Sequence, residues 1–313
     1  MPMDPASAEF DSVSVAVVAI CGVTQIVRCL DALMAQRDAP EFEIIVAADA
    51  ALGDLSQLRG RFPTVTLLSR DGCRTPIALA AMAIQSCRGT RILLTEDSCV
   101  AHPSWVARLA ATGWEGRGAV GGLVEPEGNL SPAGWAFCYV DFFRYMRPAA
   151  EGATPSLSVC NVAYHRSHLS AISPLWETGF LETEVHEHLA RRFGKLWLAP
   201  DAEMRVRRSV RFGDAVYERY AFGRLFGATR MRSLSPAGRS LYVLLGPALP
   251  ALLFWRLAAK AFAAADTTRM FLRALPALAA LVLAWSCGEW LGYVTGQLPA
   301  RITTAPEVPE SAM

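Results

Sequence analysis

Apolar and polar positions in the first hundred residues follow two alternating patterns, that of buried strands and that of amphipathic helices. The β-branched run at 13–20 predicts a strand buried on both faces. Residues 24–36 carry apolar side chains at helical spacing, with Thr24 as the predicted N-cap. The same alternation predicts strands at 42–48, 65–68 and 91–94 and helices at 52–59 and 76–87. This order predicts an α/β fold with a mostly parallel sheet.

The pattern weakens after residue 113 but still predicts regular elements. It predicts a strand at 118–124, an aromatic-rich connection at 131–147, a helix at 182–193 and a short strand at 197–200. An arginine-rich segment at 205–211 and a basic amphipathic helix at 217–232 follow. Arginines at this density predict a contact with phosphate, either of the nucleotide or of a lipid carrier. A membrane-surface role is the alternative, because anionic headgroups attract such clusters.

Two long apolar segments near the C-terminus predict a different environment. Residues 240–255 are uncharged and contain two prolines. As a helix they would reach about 24 Å, less than the roughly 30 Å hydrocarbon core of a bilayer. A re-entrant or interfacial segment at 240–256 is therefore favoured over a clean span. Residues 274–300 contain one charge, Glu289, and predict a membrane span at 274–298.

The charges around these segments refine the prediction. The loop between them is basic, and two crossings would place that loop outside, against the positive-inside tendency. Glu289 inside an apolar span is costly unless paired, and Arg256 or Arg273 is the expected partner. Two buried core helices of a soluble domain are the alternative interpretation.

Composition adds limits on the compartment and the partners. The net charge of +1 gives no global field that favours nucleic acid, and the hydrophobic content of 52% is concentrated in the C-terminal part. The eight cysteines show no paired spacing, which favours buried thiols in a reducing compartment. Residues 1–11 lack an apolar stretch, so no secretory signal is expected and the first two hundred residues are expected in the cytoplasm.

The predicted organisation therefore has four parts. They are a disordered tail at 1–11, an α/β domain at 12–235, membrane-associated helices at 236–300 and a second disordered tail at 301–313.

Acidic side chains follow two of the predicted strands directly. Asp49 closes the second strand, and Glu96 and Asp97 follow the apolar run at 92–94. Ligands of such sheets bind beyond the carboxyl ends of the strands, so these carboxylates are expected to share one crevice. Carboxylate oxygens suit Mg²⁺ or Mn²⁺, and such an ion suits a diphosphate.

The chain resembles the family-2 glycosyltransferases, which have the GT-A fold, over roughly residues 13–211. The likeness rests on the first strand, a Cys-Leu-x-x-Leu-x-x-Gln pattern ending at Gln36, the acidic element at 96–98, and two downstream elements. These are Cys160-Asn161-Val162-Ala163-Tyr164-His165-Arg166 and Gly179-Phe180-Leu181-Glu182-Thr183-Glu184-Val185.

For the donor side, the resemblance implies that Asp49 bonds the nucleotide base and that a divalent ion is held by Asp97 together with Glu96. Glu96 is also expected near the ribose. The remaining nucleotide-binding candidates are Val18 and Arg74, with Arg70 as the alternative to the latter. Many members have aspartate where this chain has Ala48 and Ser98.

For the acceptor side, the resemblance implies contacts from Asn161, His165 and Arg166. Glu182 takes the position of the catalytic base, which removes the acceptor proton in a single inverting displacement. Glu184 is the alternative base. Two acidic residues favoured by a helix dipole are the competing structural interpretation.

The sequence thus predicts an inverting glycosyltransferase at the cell membrane with a cytoplasmic catalytic domain. Its partners would be a nucleotide-sugar, a lipid-linked or glycan acceptor and membrane lipids. The departures at Ala48 and Ser98 support an alternative, a catalytically inactive scaffold of a membrane polysaccharide assembly. A nucleotidyltransferase is ranked last, because only Gly22 stands near the first strand where a Gly-rich phosphate loop is needed.

Overall fold

The structure of the protein is a computed structural model. It describes residues 12–72, 75–128, 130–208, 211–232, 234–263 and 265–300, without the side chains of Ala265 and Asp266. The tails predicted at 1–11 and 301–313 and the candidate Arg74 lie outside the described residues.

The described chain alternates strands and helices through its first half. The elements are β1 (Val13–Ala19), α1 (Val23–Met34), β2 (Phe42–Asp49), α2 (Ser56–Arg61), β3 (Thr66–Arg70), α3 (Pro76–Ser86), β4 (Arg91–Glu96), β5 (Cys99–Ala101), α4 (Trp105–Ala110) and β6 (Arg117–Pro126). The strand and helix types predicted from periodicity are confirmed here, with shifts of a few residues at their ends.

Helices dominate the second half. The elements are α5 (Pro132–Phe142), β7 (Gly152–Thr154), β8 (Val162–His165), α6 (Arg166–Ser170), α7 (Glu182–Phe193), β9 (Lys195–Val206), α8 (Phe212–Arg232), α9 (Pro236–Leu245), α10 (Leu249–Ala261) and α11 (Ala265–Thr295).

One mixed sheet organises the α/β domain in the order β3-β2-β1-β4-β8-β6-β9-β5, with β7 paired to β9. The strands from β3 to β4 are all parallel to their neighbours, as predicted. Beyond them β8 runs antiparallel to both β4 and β6, whereas β6 and β9 are parallel. The predicted mostly parallel sheet therefore describes the first half, and the second half is mixed.

The register of the parallel strands decides which side chains share an edge. Val18 of β1 lies opposite Glu96 of β4, and Ala19 lies opposite Ala48 of β2. Glu96 and Asp49, which ends β2, therefore lie at the same edge of the sheet, beside the end of β1. Apolar clusters cover both faces of the sheet, so this edge is where polar groups can meet a ligand.

Helices α8 and α11 approach each other at glycines. A Cβ added at Gly223 or Gly227 would lie 2.2 Å from the carbonyl oxygen of Trp285 or Glu289, respectively. From the other helix, a Cβ at Gly288 would lie 2.0 Å from the Tyr220 carbonyl oxygen. Contacts that advance by four residues on both helices show that the two run in the same direction. Small residues at this spacing let two helix backbones pack closely.

Two of the described helical segments are long and apolar enough to cross a membrane. They are Pro236–Ala261, of mean hydropathy 1.6, and Thr267–Thr295, of mean hydropathy 1.8. The first consists of α9 and α10 joined by a 3₁₀ turn at Gly246–Ala248, which agrees with the predicted interruption. Only 11% of its most apolar stretch is buried, against 33% for the second, so the interpretation as buried core helices fits neither.

The partner predicted for Glu289 is wrong. Its carboxylate accepts hydrogen bonds from Trp285 Nε1 (2.8 Å) and from the Tyr293 hydroxyl, and Arg230 Nη1 lies 3.9 Å away. The cation comes from α8, because α11 packs along that helix, whereas Arg256 and Arg273 are exposed.

Substitution of Gly227 by alanine should destabilise the protein, because the added Cβ meets α11 backbone that cannot move alone. Overpacking of this kind costs about 1–3 kcal/mol, which thermal unfolding would register as a loss of several degrees. Gly213→Ala on the same helix is the control, since its Cβ would meet nothing within 4 Å. Equal melting temperatures for the two variants would contradict the close packing of α8 and α11.

Candidate functional site

Asp97 holds the loop between β1 and α1. Its carboxylate accepts hydrogen bonds from the backbone amides of Ile20 (3.1 Å), Cys21 (2.8 Å) and Gly22 (3.3 Å), and the side chain is 1% exposed. Its own amide donates to the Val18 carbonyl oxygen at 3.0 Å. Successive amides that converge on one carboxylate fix the loop. Gly22 has φ +126°, a conformation that favours glycine at this turn.

Glu96 is the neighbouring carboxylate and has a different environment. It is half-buried at the end of β4, and its carboxylate has no hydrogen-bond partner in the part of the chain that the structure describes. Burial, with the negative charges of Asp97 and Glu218, raises the pKa of Glu96 to about 7, although Arg208 and Arg219 oppose the shift. A perturbed, unpartnered carboxylate at a sheet edge is typical of a binding site.

Glu182 begins α7 and lies across the cleft from Glu96. Burial, followed by the charge of Glu96, raises the pKa of Glu182 to about 8, while the Val159 amide and the Arg144 charge act in the opposite direction. Because the charge of Glu96 acts on Glu182, the two carboxyl groups lie near each other, and we call the space beside them the cleft. The Glu182 side chain is 35% exposed, so solvent screens part of this effect.

The helix that carries Glu182 has a neutral histidine one turn on. His186 Nδ1 lies 3.9 Å from Glu182 Oε1, and its Nε2 lies 2.8 Å from the Tyr164 hydroxyl oxygen. Burial lowers the pKa of His186 to about 3, so the ring is uncharged at neutral pH. Glu182 therefore gains no ion pair from it and keeps its raised pKa.

A buried charge network borders the cleft from the β9–α8 junction. Arg208 bonds both carboxylate oxygens of Glu218 at 2.6 and 2.9 Å. Arg219 shares Glu218 Oε1 at 2.5 Å and also bonds Asp141 of α5. The carboxylates of Glu218 and Asp141 offset part of the desolvation cost of burying these two guanidinium groups, so positive charge stays beside Glu96.

Asp49 closes β2 at the same edge. Its Oδ1 accepts a hydrogen bond from the Ala51 amide at 2.7 Å, which starts a 3₁₀ turn at Ala50–Leu52, and the residue is 7% exposed. Asp49 therefore forms the turn that follows β2. Arg70 ends the adjacent strand β3, opposite Asp49 in the register, and is exposed.

Two of the predicted site residues lie inside the protein near this edge. Asn161 is 0% exposed, accepts a hydrogen bond from Trp105 Nε1 and donates to the carbonyl oxygens of Leu123 and Ala202. It joins β6, β8 and β9 from within. The Val18 side chain is 2% exposed in the core, so only the backbone of Val18 belongs to the cleft.

Three further candidates are not brought to the cleft. His165 lies opposite Arg91, the first residue of β4, so it and Arg166 stand at the other edge of the sheet. Arg166 donates there to the carbonyl oxygens of Gly89 and Cys87. Glu184 forms an ion pair with Arg232 of α8 at 3.0 Å.

The charge network around Glu218 was not predicted from the sequence. Arg208 belongs to the arginine-rich segment that was expected to contact phosphate, but its partner Glu218 and the link to Asp141 were not predicted. The available signal was a single glutamate next to Arg219 within an otherwise basic helix. The link from Arg219 to Asp141 joins residues 78 positions apart and has no local signature.

The carboxylates at this site could hold a divalent ion in one arrangement, through Glu96. The described residues contain no group of three or more His, Cys, Asp or Glu that could hold a metal. Both oxygens of Asp97 already accept amide hydrogens, so Glu96 is the carboxylate that faces the cleft. Mg²⁺ is commonly bound by one or two carboxylates and the phosphates of the substrate, and Glu96 fits that arrangement.

Comparisons with known proteins show the fold. No family model and no curated protein matches the chain. Among solved structures, the chain is similar to the mannosyltransferase PcManGT from Pyrobaculum calidifontis in complex with GDP-Man and Mn²⁺. The TM-score is 0.53 at 18% sequence identity, and the match covers 88% of this chain and 86% of that chain. The likeness thus extends over most of both molecules.

The stability of the protein should fall with rising pH through the two cleft carboxyl groups. Their folded-state pKa values of about 7 and about 8 exceed the ordinary value of 4.5. Between pH 4.5 and these values the folded state therefore binds more protons than the unfolded state. Stability is therefore lost as the pH rises from about 4.5 to about 8. The double variant Glu96→Gln/Glu182→Gln should melt higher than the natural protein at pH 8, with a smaller difference at pH 5. Glu187→Gln, on the surface of α7, is the control and should leave the pH dependence of the melting temperature unchanged. If the melting temperature changed with pH equally in all three proteins, the raised pKa values assigned to Glu96 and Glu182 would be contradicted.

Loss of the Asp97 charge should loosen the β1–α1 loop. Asp97→Asn keeps the shape but offers only one accepting oxygen, so hydrogen exchange at the amides of residues 20–22 should speed up at least tenfold. Asp201→Asn is the control, since the Asp201 side chain is 80% exposed. Unchanged exchange at residues 20–22 would show that Asp97 does not organise this loop.

Proposed function

We propose that the protein is a glycosyltransferase of the GT-A type that moves a sugar, with inversion, from a nucleotide-diphosphate donor to a lipid-linked or polysaccharide acceptor. The observation that carries the proposal is the pair of perturbed carboxyl groups, Glu96 and Glu182, in one cleft at the carboxyl edge of the sheet. The fold shared with a mannosyltransferase solved with GDP-Man and Mn²⁺ supports the same function.

The donor would occupy the edge formed by β1, β2 and β4. Asp49, which ends β2, would bond the nucleotide base, and the loop held by Asp97 would lie beside the donor. Glu96 would hold a magnesium or manganese ion, which neutralises charge on the leaving diphosphate. The buried guanidinium of Arg208 adds fixed positive charge to that side of the cleft.

Glu182 would act as the base on the opposite side. The acceptor hydroxyl attacks the anomeric carbon as Glu182 takes its proton, and the bond to the diphosphate breaks in the same displacement. A base must be ionised before it acts, and a pKa near 8 keeps Glu182 largely protonated in the empty cleft. Positive charge that arrives with the donor would lower this pKa and prepare the base.

A catalytically inactive scaffold is the second candidate. Two observations favour it. Ser98 and Ala48 stand where many family-2 glycosyltransferases have aspartate, and Asp97 holds a loop. A folded protein that turned over no nucleotide-sugar in a broad donor panel would support the scaffold.

The two long apolar helical segments support a location at the cell membrane. The catalytic domain would then face the cytoplasm, where nucleotide-sugars are available. An acceptor that is anchored in the bilayer or grows from it fits this location.

Purified protein incubated with nucleotide-sugars and Mg²⁺ or Mn²⁺ should release nucleoside diphosphate, detected by mass spectrometry. Glu182→Gln should reduce this turnover by at least a hundredfold, because the base is lost while the shape of the cleft is kept. Glu187→Gln, one turn along α7, is the matched control and should keep normal turnover. The turnover rate of the natural protein should increase with pH, with an apparent pKa between about 6 and 8. Near-normal turnover of Glu182→Gln would show that Glu182 is not the catalytic base.

A further inference from the structure

Helix α8 is tied to the α/β domain at two points. Arg219, in the first half of the helix, bonds Asp141 of α5, and Arg232 at the end of the helix pairs with Glu184 of α7. The stretch of α8 between these two ion pairs is therefore held beside the domain.

Helix α11 follows α8 in parallel. The close approaches of Gly223 to Trp285 and of Gly227 to Glu289 fix this alignment. Earlier along the pair, Ala215 of α8 belongs to the same buried cluster as Phe271 of α11. The apolar length of α11 therefore runs along the domain as a second layer. A bilayer crossing by α11 would place the charged helix α8 in the hydrocarbon as well, at high cost.

Helix α11 has two apolar faces with different surroundings. One face is buried against α8 and α5 and includes Ala274, Leu281 and Gly292. The opposite face is exposed over a stripe that covers roughly 60° of arc at 3.6 residues per turn. Its members are Arg269, Leu272, Pro276, Leu283, Cys287, Trp290 and Val294.

The short helices next to α11 extend this exposed apolar surface. Trp290 of α11 donates a hydrogen bond from Nε1 to the Val243 carbonyl oxygen of α9, and the rings of Phe262 and Phe271 meet at the other end. The large exposed side chains of α9 and α10 are Leu241 (55%), Leu244 (76%), Leu245 (58%), Leu252 (39%) and Trp255 (69%). Together with the α11 stripe they form what we call the docking face.

The charges around the docking face have one sign. Among the described side chains of residues 234–300, the exposed charged ones are Arg239, Arg256, Arg269 and Arg273, and the acidic Glu289 is buried. An apolar surface bordered by arginines and tryptophans complements an interface of acyl chains and anionic headgroups.

We propose that the docking face binds an anionic lipid bilayer in the plane of the membrane, so that α9, α10 and α11 enter one leaflet and neither apolar segment crosses. The proposal rests on the membrane location given above and specifies its geometry. Helix α8 then lies between the bilayer and the cleft, because its residues Glu218 and Arg219 are near Glu96, on the side of the helix that faces the α/β domain. The cleft is one helix away from a lipid-anchored acceptor.

Binding of the purified full chain to vesicles tests the partner. Sedimentation with phosphatidylglycerol-containing vesicles should be at least tenfold stronger than with pure phosphatidylcholine vesicles. Neutralising Arg239, Arg256, Arg269 and Arg273 to Gln should remove this preference. The matched control neutralises four exposed arginines of the α/β domain, Arg37, Arg59, Arg108 and Arg191, and should keep it. Equal binding to both vesicle types, or equal loss in both variants, would overturn the proposal.

Thiol labelling tests whether α11 crosses. Cys21, Cys73 and Cys287 are first replaced by Ser, since the other five cysteines are buried. One cysteine at a time is then added at Phe262 before α11, at Leu298 after it, or at Arg37 as a marker for the side of the α/β domain; all three positions are exposed. In sealed membrane vesicles, an impermeant maleimide should label all three from the same side. A Leu298→Cys thiol that reacts only after the membrane is opened would overturn the in-plane arrangement and leave the membrane location standing.

Failure of the membrane location itself gives a different result. A folded, nucleotide-sugar-consuming protein that bound no vesicles and formed a stable dimer through this surface would overturn both the membrane location and the docking proposal, and would leave the glycosyltransferase assignment standing. Turnover is measured on the detergent-solubilised protein, so its loss reports on the glycosyltransferase assignment and not on docking.

Discussion

The carboxylate of Asp97, buried beneath the amides of Ile20, Cys21 and Gly22, is the interaction on which the cleft depends. It ties the end of β4 to the turn that leaves β1, so the two central strands end in one fixed loop. A carboxylate used in this way is a structural anchor, and the preceding acidic side chain, Glu96, is the one that we propose meets the ligand. Glu96 consequently faces the cleft without a hydrogen-bond partner among the described residues, and its raised pKa follows from that position.

The same cleft is connected to the outer layer of helices by buried charge. Arg208 and Arg219 neutralise Glu218 within hydrogen-bond distance, and Arg219 also reaches Asp141, so α8 is locked to the domain beside Glu96. The glycine contacts then lock α11 to α8. Among the described residues, the docking face and the cleft are therefore connected through packed helices and ion pairs.

Much of the sheet could be predicted from the sequence, because β-branched runs and helical spacing are local signals. The placement of Asp49 and Glu96 at one edge followed from the parallel connections of the first four strands. The direction of β8 has no local signal, and its antiparallel course moves His165 to the opposite edge. The segment of helix α5 was predicted only as an aromatic-rich connection, because a helix packed on several sides has no clear periodicity. Charge partners distant in sequence, such as Asp141 and Arg219, could not be read from spacing.

The central claim is that Glu96 and Glu182 form one site for a nucleoside diphosphate and its cation. Calorimetric titration of the protein with a nucleoside diphosphate and Mn²⁺, repeated in buffers of different protonation enthalpy at pH 7.5, counts the protons exchanged on binding. We expect a net release of protons, because carboxyl groups with raised pKa values ionise when positive charge arrives beside them. The release should shrink in Glu96→Gln. Binding without proton release, or a release unaffected by Glu96→Gln, would contradict the account.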